Sequence, residues 1–195
     1  MSSYLETIKA LDGKLYHLEY HQARYERVLK SLGVIEYKRV QDYINPPKNG
    51  LFRCRVLYNI NSISVTYHEY KKRKVETLKI VYDDFIDYQL KAENRENLNI
   101  LYKQRESCDD VLIVKNGLLT DTTIANIALY KDGIWYTPKK PLLYGTTRER
   151  LLKEKKIITK KIYISDIFDY TKVALLNAMV DFDIIQKENI RGVIC

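Results

Sequence analysis

Three side chains in this chain could do chemistry together, and each sits in a short motif: Arg24, Lys91 and Asp121. Lys91 lies in Leu90-Lys91-Ala92-Glu93-Asn94-Arg95-Glu96-Asn97. A lysine amine can attack a carbonyl and then shuttle protons, provided burial or nearby charge lowers its pKa. Asp121 follows an Asn116-Gly117 turn and opens Asp121-Thr122-Thr123-Ile124-Ala125-Asn126-Ile127. Its carboxylate can hold a proton on a ring nitrogen. Arg24 closes His21-Gln22-Ala23-Arg24 and offers the fork of donors that suits a phosphate. Tyr136-Thr137-Pro138 leads to Leu143-Tyr144-Gly145-Thr146-Thr147-Arg148, which reads as a helix start at Thr146 and Thr147. Helix N-termini bind anions through oriented N–H groups, and Gly145 would let the backbone come close.

Taken singly, these residues have plain structural readings. A lone lysine in a polar loop is a surface lysine, Arg24 a solvated helix charge and Gly-Thr-Thr-Arg an ordinary helix cap. Thr122 and Thr123 read as strand residues and Asn126 as a turn former. The order and spacing of the motifs, rather than any one residue, outweigh those readings.

The elements that must position them are legible from periodicity. Tyr4 to Leu11 and Leu15 to Leu18 flank Asp12-Gly13, a pair suited to a tight hairpin. A helix over Tyr20 to Leu32 follows, closed by Gly33, and Ile35 to Ile44 is predicted as a second short helix before Asn45-Pro46-Pro47. Leu51 to Asn59, Ser62 to Tyr70 and Val75 to Tyr82 are strand patterns completing a first lobe. Lys71-Lys72-Arg73-Lys74 reads as the solvated tip between two of them. Beyond a crossing segment come a helix from Asn94 to Glu106 and strands at Val111 to Lys115, Leu118 to Thr122, Asn126 to Tyr130 and Ile134 to Thr137. A helix from Thr146 to Lys155, a strand near Ile157 to Tyr163, a short helix near Ser165 to Phe168 and strands near Val173 to Leu176 and Phe182 to Lys187 finish the pattern. The expected fold is mixed α/β (α+β) in two lobes, residues 1–84 and 92–195, with residues 85–91 as the interdomain segment reaching Lys91.

With 195 residues and 46% apolar content the chain is globular rather than disordered. It has no long apolar run and no secretory layout at Met1-Ser2-Ser3, so no membrane is expected and the cytoplasm is. Cys54, Cys108 and Cys195 are widely spaced, form no metal motif and are expected to be reduced thiols. The formal charge of +8 is spread along the chain, which suits an anionic small molecule; a nucleic-acid partner is not expected.

From Tyr4 to Met179 the motifs resemble the class IV aminotransferases, the fold-type IV pyridoxal-phosphate enzymes that include D-amino-acid and branched-chain aminotransferases and 4-amino-4-deoxychorismate lyase. The opening match is Leu5-Glu6-Thr7-Ile8 with His21-x-x-Arg24. The resemblance implies pyridoxal 5'-phosphate held in a cleft between the lobes and linked to Lys91. It also implies that Arg24, Thr146 and Thr147 hold its phosphate, Asp121 faces the ring nitrogen where the family usually has Glu, and Asn177 and Ala178 border the phosphate and substrate. A homodimer acting on a small amine or amino acid is implied as well. Relative to the family the chain is N-terminally short, beginning almost at the Leu5 strand.

Two local features resemble the lyase. They are Asn94-Arg95 after the lysine, where branched-chain aminotransferases have a tyrosine at the position of Glu96, and Asn177-Ala178 in the later loop. A lyase would give 4-aminobenzoate, for folate biosynthesis, and pyruvate; the alternative is an amino-acid aminotransferase. His68 is weighed as a substrate contact against a surface strand position. Remaining readings are a non-catalytic relative acting as a scaffold and, last, a basic nucleic-acid binder.

Overall fold

The computed structural model describes residues 2–195. The chain divides into two compact units, one running to Lys72 and taking back Leu90–Asn94, the other comprising Arg73–Gln89 and Arg95–Cys195.

The first unit is a four-stranded antiparallel sheet with one helix. β1 (Tyr4–Leu11) turns at Asp12 and Gly13 into β2 (Lys14–Leu15) and pairs on its other side with β3 (Leu51–Tyr58), which pairs with β4 (Ile63–Glu69). Asp12 and Gly13 both have positive φ, as the hairpin required. α1 (Leu18–Ser31) buries His21, Arg24, Tyr25, Val28 and Leu29, positions that share one face at helical spacing. Gly33 adopts the left-handed conformation that ends the helix, and Val34 N reaches back to the Leu29 carbonyl. The core joins Ile8, Ala10 and Val56 from the sheet to Tyr25, Val28 and Leu29 from α1. The predicted helix over Ile35 to Ile44 reduces to a single 3-10 turn at Val40–Tyr43. Only Val40 of that turn is buried, so little packing rewards a longer helix.

The second unit is built on an eight-stranded mixed sheet. β5 (Leu78–Tyr82) pairs in parallel with β6 (Asp110–Lys115), and β7 (Leu118–Thr122), β8 (Asn126–Lys131) and β9 (Ile134–Pro138) continue antiparallel. β10 (Ile158–Lys160) adds in parallel to β9, while β11 (Lys172–Asn177) pairs with β8 and with β12 (Asp181–Ile184). α2 (Glu96–Lys103) precedes β6, and α3 (Thr146–Lys153) lies between β9 and β10.

Two expectations are corrected here. β5, expected to complete the first sheet, joins the second, so Lys71 to Lys74 is no hairpin tip but part of the strand-free connection from β4 to β5. Arg73 in that connection donates to the Asp109 carbonyl. The cysteines are not all reduced: Cys108 and Cys195 form a disulfide, with Cα atoms 6.6 Å apart. Backbone pairing makes this possible, because Cys195 N donates to the Leu78 carbonyl at 3.1 Å and brings the last residue beside β5. Cys54 remains a buried free thiol.

Candidate active site

In the first unit the alternation of β1 turns Tyr4, Glu6, Ile8 and Ala10 inward, so a carboxylate enters an otherwise apolar row. Glu6 is fully buried, and α1 supplies its partners. Arg24 Nε donates to Glu6 Oε1 at 2.8 Å and Arg24 Nη2 to Oε2 at 2.5 Å, while His21 Nδ1 lies 2.6 Å from Oε2. Burial opposes the Glu6 charge, but the Arg24 guanidinium and the bonds from His21 and Arg24 outweigh it and hold the carboxyl at about 2. For His21 the order reverses. Its burial outweighs the pull of Glu6 and lowers its pKa, with Arg24 and Lys91 pushing the same way. The imidazole is therefore neutral near pH 7, and since a carboxylate can only accept, Nδ1 carries the proton.

Lys91 belongs to the same unit. Its carbonyl accepts from Leu5 N at 3.0 Å, and a bridge between Tyr4 and Ala92 fixes the segment beside the start of β1. Lys91 itself has φ of 52°, a conformation that costs a non-glycine residue on the order of 1 kcal/mol or more and that clusters at functional sites. It is half-buried, and its charge is felt at His21.

In the second unit Asp121 is the penultimate residue of β7 and is 4% exposed. Asn126 Nδ2 donates to Asp121 Oδ1 at 2.7 Å and Leu143 N to Oδ2 at 2.9 Å. Burial raises the Asp121 carboxyl to about 7, against these bonds and the charge of Arg148. The turn after β7 is held by Thr122 Oγ1, which accepts from Ala125 N at 3.1 Å, and by Thr123 Oγ1, which donates to buried Asp110 at 2.7 Å. Arg95 Nη2 donates to the Thr123 carbonyl at 2.5 Å.

The segment from Leu143 leads into α3, whose first residues, Thr146 and Thr147, are buried and present the helix N-terminus. Arg148, 4% exposed, is held by the Pro138 carbonyl at 2.8 Å. Asn177 ends β11, and its Oδ1 accepts from Met179 N at 2.9 Å and Val180 N at 3.1 Å, shaping a turn that includes half-buried Ala178. Asn177 Nδ2 also reaches the Ile124 carbonyl at 3.3 Å. The structure thus groups Arg24 with Lys91 in one unit, and Asp121, Thr146, Thr147, Asn177 and Ala178 in the other. His68 is exposed on β4 beside Thr66, in keeping with a surface strand position.

Glu6 and His21 stand in the sequence motifs without a role assigned to either. The signal was present: a glutamate on the inward period of β1, and a histidine and arginine three apart on the inward face of α1. Arg148 carried no comparable signal, since arginine in the first turn of a helix usually faces water.

The first unit thus holds an amine and a guanidinium, and the second a buried acid and a helix N-terminus. The amino-transferase class IV model matches residues 3–186. The chain belongs to the class IV aminotransferase family. An uncharacterised protein of Haemophilus influenzae is 37% identical over 180 residues, which is 89% of this chain and 96% of that one. The crystal structure of a candidate 4-amino-4-deoxychorismate lyase from Haemophilus somnus superposes with a TM-score of 0.86 at 36% identity, over 92% of this chain and 97% of that one. A hypothetical aminotransferase of Mycobacterium tuberculosis in its PLP-bound form shares the fold at 14% identity, with a TM-score of 0.81 over 95% and 80% of the two chains. The mixed α/β architecture and the standing of this family member as a PLP-dependent enzyme follow from the family match.

Proposed function

We propose that this class IV aminotransferase-family enzyme is an aminodeoxychorismate lyase, converting 4-amino-4-deoxychorismate to 4-aminobenzoate and pyruvate. The observation that carries this reading is the 36% identity, over nearly the whole of both chains, to the candidate lyase of Haemophilus somnus. Two local features support it. Arg95, of the Asn94-Arg95 pair, is fixed to the Thr123 carbonyl close to Asp121, and Asn177-Ala178 forms a turn braced on the Ile124 carbonyl.

The residues fit pyridoxal 5'-phosphate: Asp121 is a buried acid already oriented by two donors, and Thr146 and Thr147 open a buried helix end. In this reading Lys91 holds the cofactor covalently, Arg24, Thr146 and Thr147 take its phosphate, and Asp121 keeps its ring nitrogen protonated. Asn177 and Ala178 border the phosphate. When bound, the cofactor supplies an electron sink for a carbanion next to the substrate amine.

The chain's own residues then have distinct tasks. Glu6 takes two of the five N–H donors of Arg24 and fixes the plane of the guanidinium. Asp121 must be ionised to face a protonated ring nitrogen, and the positive charge it meets there favours that state. Lys91, freed when the substrate amine takes its place, removes the proton from the amine-bearing carbon of the substrate. The bond from the ring carbon to the enolpyruvyl oxygen breaks, enolpyruvate leaves and gains a proton to become pyruvate, and the carbocycle becomes aromatic.

The same reading expects a homodimer working in the cytoplasm; among the described residues no helix is long and apolar enough to cross a membrane. Purified protein supplied with PLP is to be given aminodeoxychorismate, and separately glutamate with a branched-chain keto acid. Release of 4-aminobenzoate with equimolar pyruvate is the expected result. Amino-group exchange without it would make the enzyme an aminotransferase, and activity with neither would favour a non-catalytic relative.

A further inference from the structure

Asn126 opens β8, and its carboxamide touches three things in the second unit. Nδ2 donates to Asp121 Oδ1 at 2.7 Å and to the Leu143 carbonyl at 2.8 Å. Oδ1 occupies the space beside Gly145, where an added Cβ would stand only 2.1 Å from it. Leu143 N closes the ring of contacts on Asp121 Oδ2 at 2.9 Å. One residue past Gly145, α3 begins.

Gly145 has φ of −70° and ψ of 144°, a conformation open to any residue. Backbone freedom is therefore no reason for glycine here; the reason is room for Asn126. A side chain at 145 would have to displace the carboxamide, and with it one of the two donors that orient Asp121. Asparagine is also specific in kind. Leucine of similar volume has no donor, and aspartate would set an acceptor against both Asp121 and the Leu143 carbonyl.

We infer that Asn126 is a positioning residue that ties the Asp121 carboxylate to the Gly145–Thr146 start of α3, fixing the spacing between the ring-nitrogen acid and the phosphate-binding helix end. This rests on the cofactor reading above, but the tie itself is a property of the chain without cofactor. Groups whose charge acts on this joint are Asp121 on β7 and Arg148 on α3, with Tyr144 and Glu149 acting in turn on Arg148.

The test compares the full chain with Asn126→Ala, Gly145→Ala and the double variant, by thermal unfolding without cofactor and by equilibrium binding of PLP. Gly145→Ala alone should lower the unfolding midpoint by several degrees and weaken PLP binding by about tenfold or more. On the Asn126→Ala background, where the space is vacated, it should change binding by less than about twofold. Asn126→Asp separates positioning from packing. Relative to wild type it should bind PLP poorly at pH 8 and recover at pH 5, where a protonated Asp side chain can again donate, whereas Asn126→Ala should not recover. Equal penalties for Gly145→Ala on both backgrounds, or no recovery of Asn126→Asp in acid, would overturn the inference. Should wild type bind no PLP, the cofactor reading fails, and the unfolding midpoints still decide whether Asn126 and Gly145 are coupled.

Discussion

Glu6 and Arg24 meet in a buried two-point bridge, with Nε on one carboxylate oxygen at 2.8 Å and Nη2 on the other at 2.5 Å. Both are almost wholly removed from water, so the pair stands or falls together. Breaking one partner of such a pair costs about 3–5 kcal/mol, because the other is left buried and charged. Glu6→Gln should lose roughly that much in denaturant unfolding near pH 7. The acid limb should change too. The native carboxyl at about 2 lies below its unfolded value, so its stabilisation is full above the ordinary glutamate range and lost as pH falls towards 2. A Glu6→Gln chain should lack that part of the acid dependence.

Asp121 has the opposite sign. Its carboxyl is raised to about 7 by burial, so the folded chain without cofactor binds a proton that the unfolded chain releases at lower pH. Stability should therefore fall as pH rises from about 4 to 7, by up to roughly 4 kcal/mol. Asp121→Asn should flatten this slope, whatever its effect on absolute stability. Unfolding free energies measured across that range without PLP check it.

Arg24 assigned to phosphate predicts a split between ligands. Arg24→Met should weaken PLP about 10- to 100-fold more than it weakens pyridoxal, which lacks the phosphate, since charge-assisted bonds contribute about 1.5–3 kcal/mol. An equal loss for both ligands would mean that Arg24 serves the fold through Glu6 and not the phosphate.

The cysteines give a prediction independent of catalysis. Cys108 and Cys195 lie within disulfide reach, at 6.6 Å between Cα atoms, and Cys54 is free. Denatured without reductant, the chain should show one reactive thiol, and after reduction three. Three thiols before reduction would mean that the pair stays open, as a reducing compartment would favour.

Local signals explain what was legible in the sequence. Asp12-Gly13 and Gly33 each need positive φ, and each marks an element boundary that the structure keeps. The β5 pattern was legible as a strand, but a period of two does not say which sheet receives it. Its parallel partner β6 begins more than 25 residues further on, at Asp110. Cys108 and Cys195 are 87 residues apart, and only the pairing of the C-terminal segment with Leu78 brings them together. The Thr146 helix start is legible because a contiguous Gly-Thr-Thr motif carries it. Asn126 was read as a turn former because its partners, Asp121, Leu143 and Gly145, are contiguous neither with it nor all with one another.

Chemical trapping tests most directly whether Lys91 carries the cofactor. Wild type and Lys91→Ala are to be loaded with PLP, reduced with borohydride, digested and mapped by mass spectrometry. One stoichiometric phosphopyridoxyl group is expected on the Lys91 amine in wild type, and none at comparable yield in Lys91→Ala. Labelling scattered over other lysines, or unchanged by loss of Lys91, would contradict it.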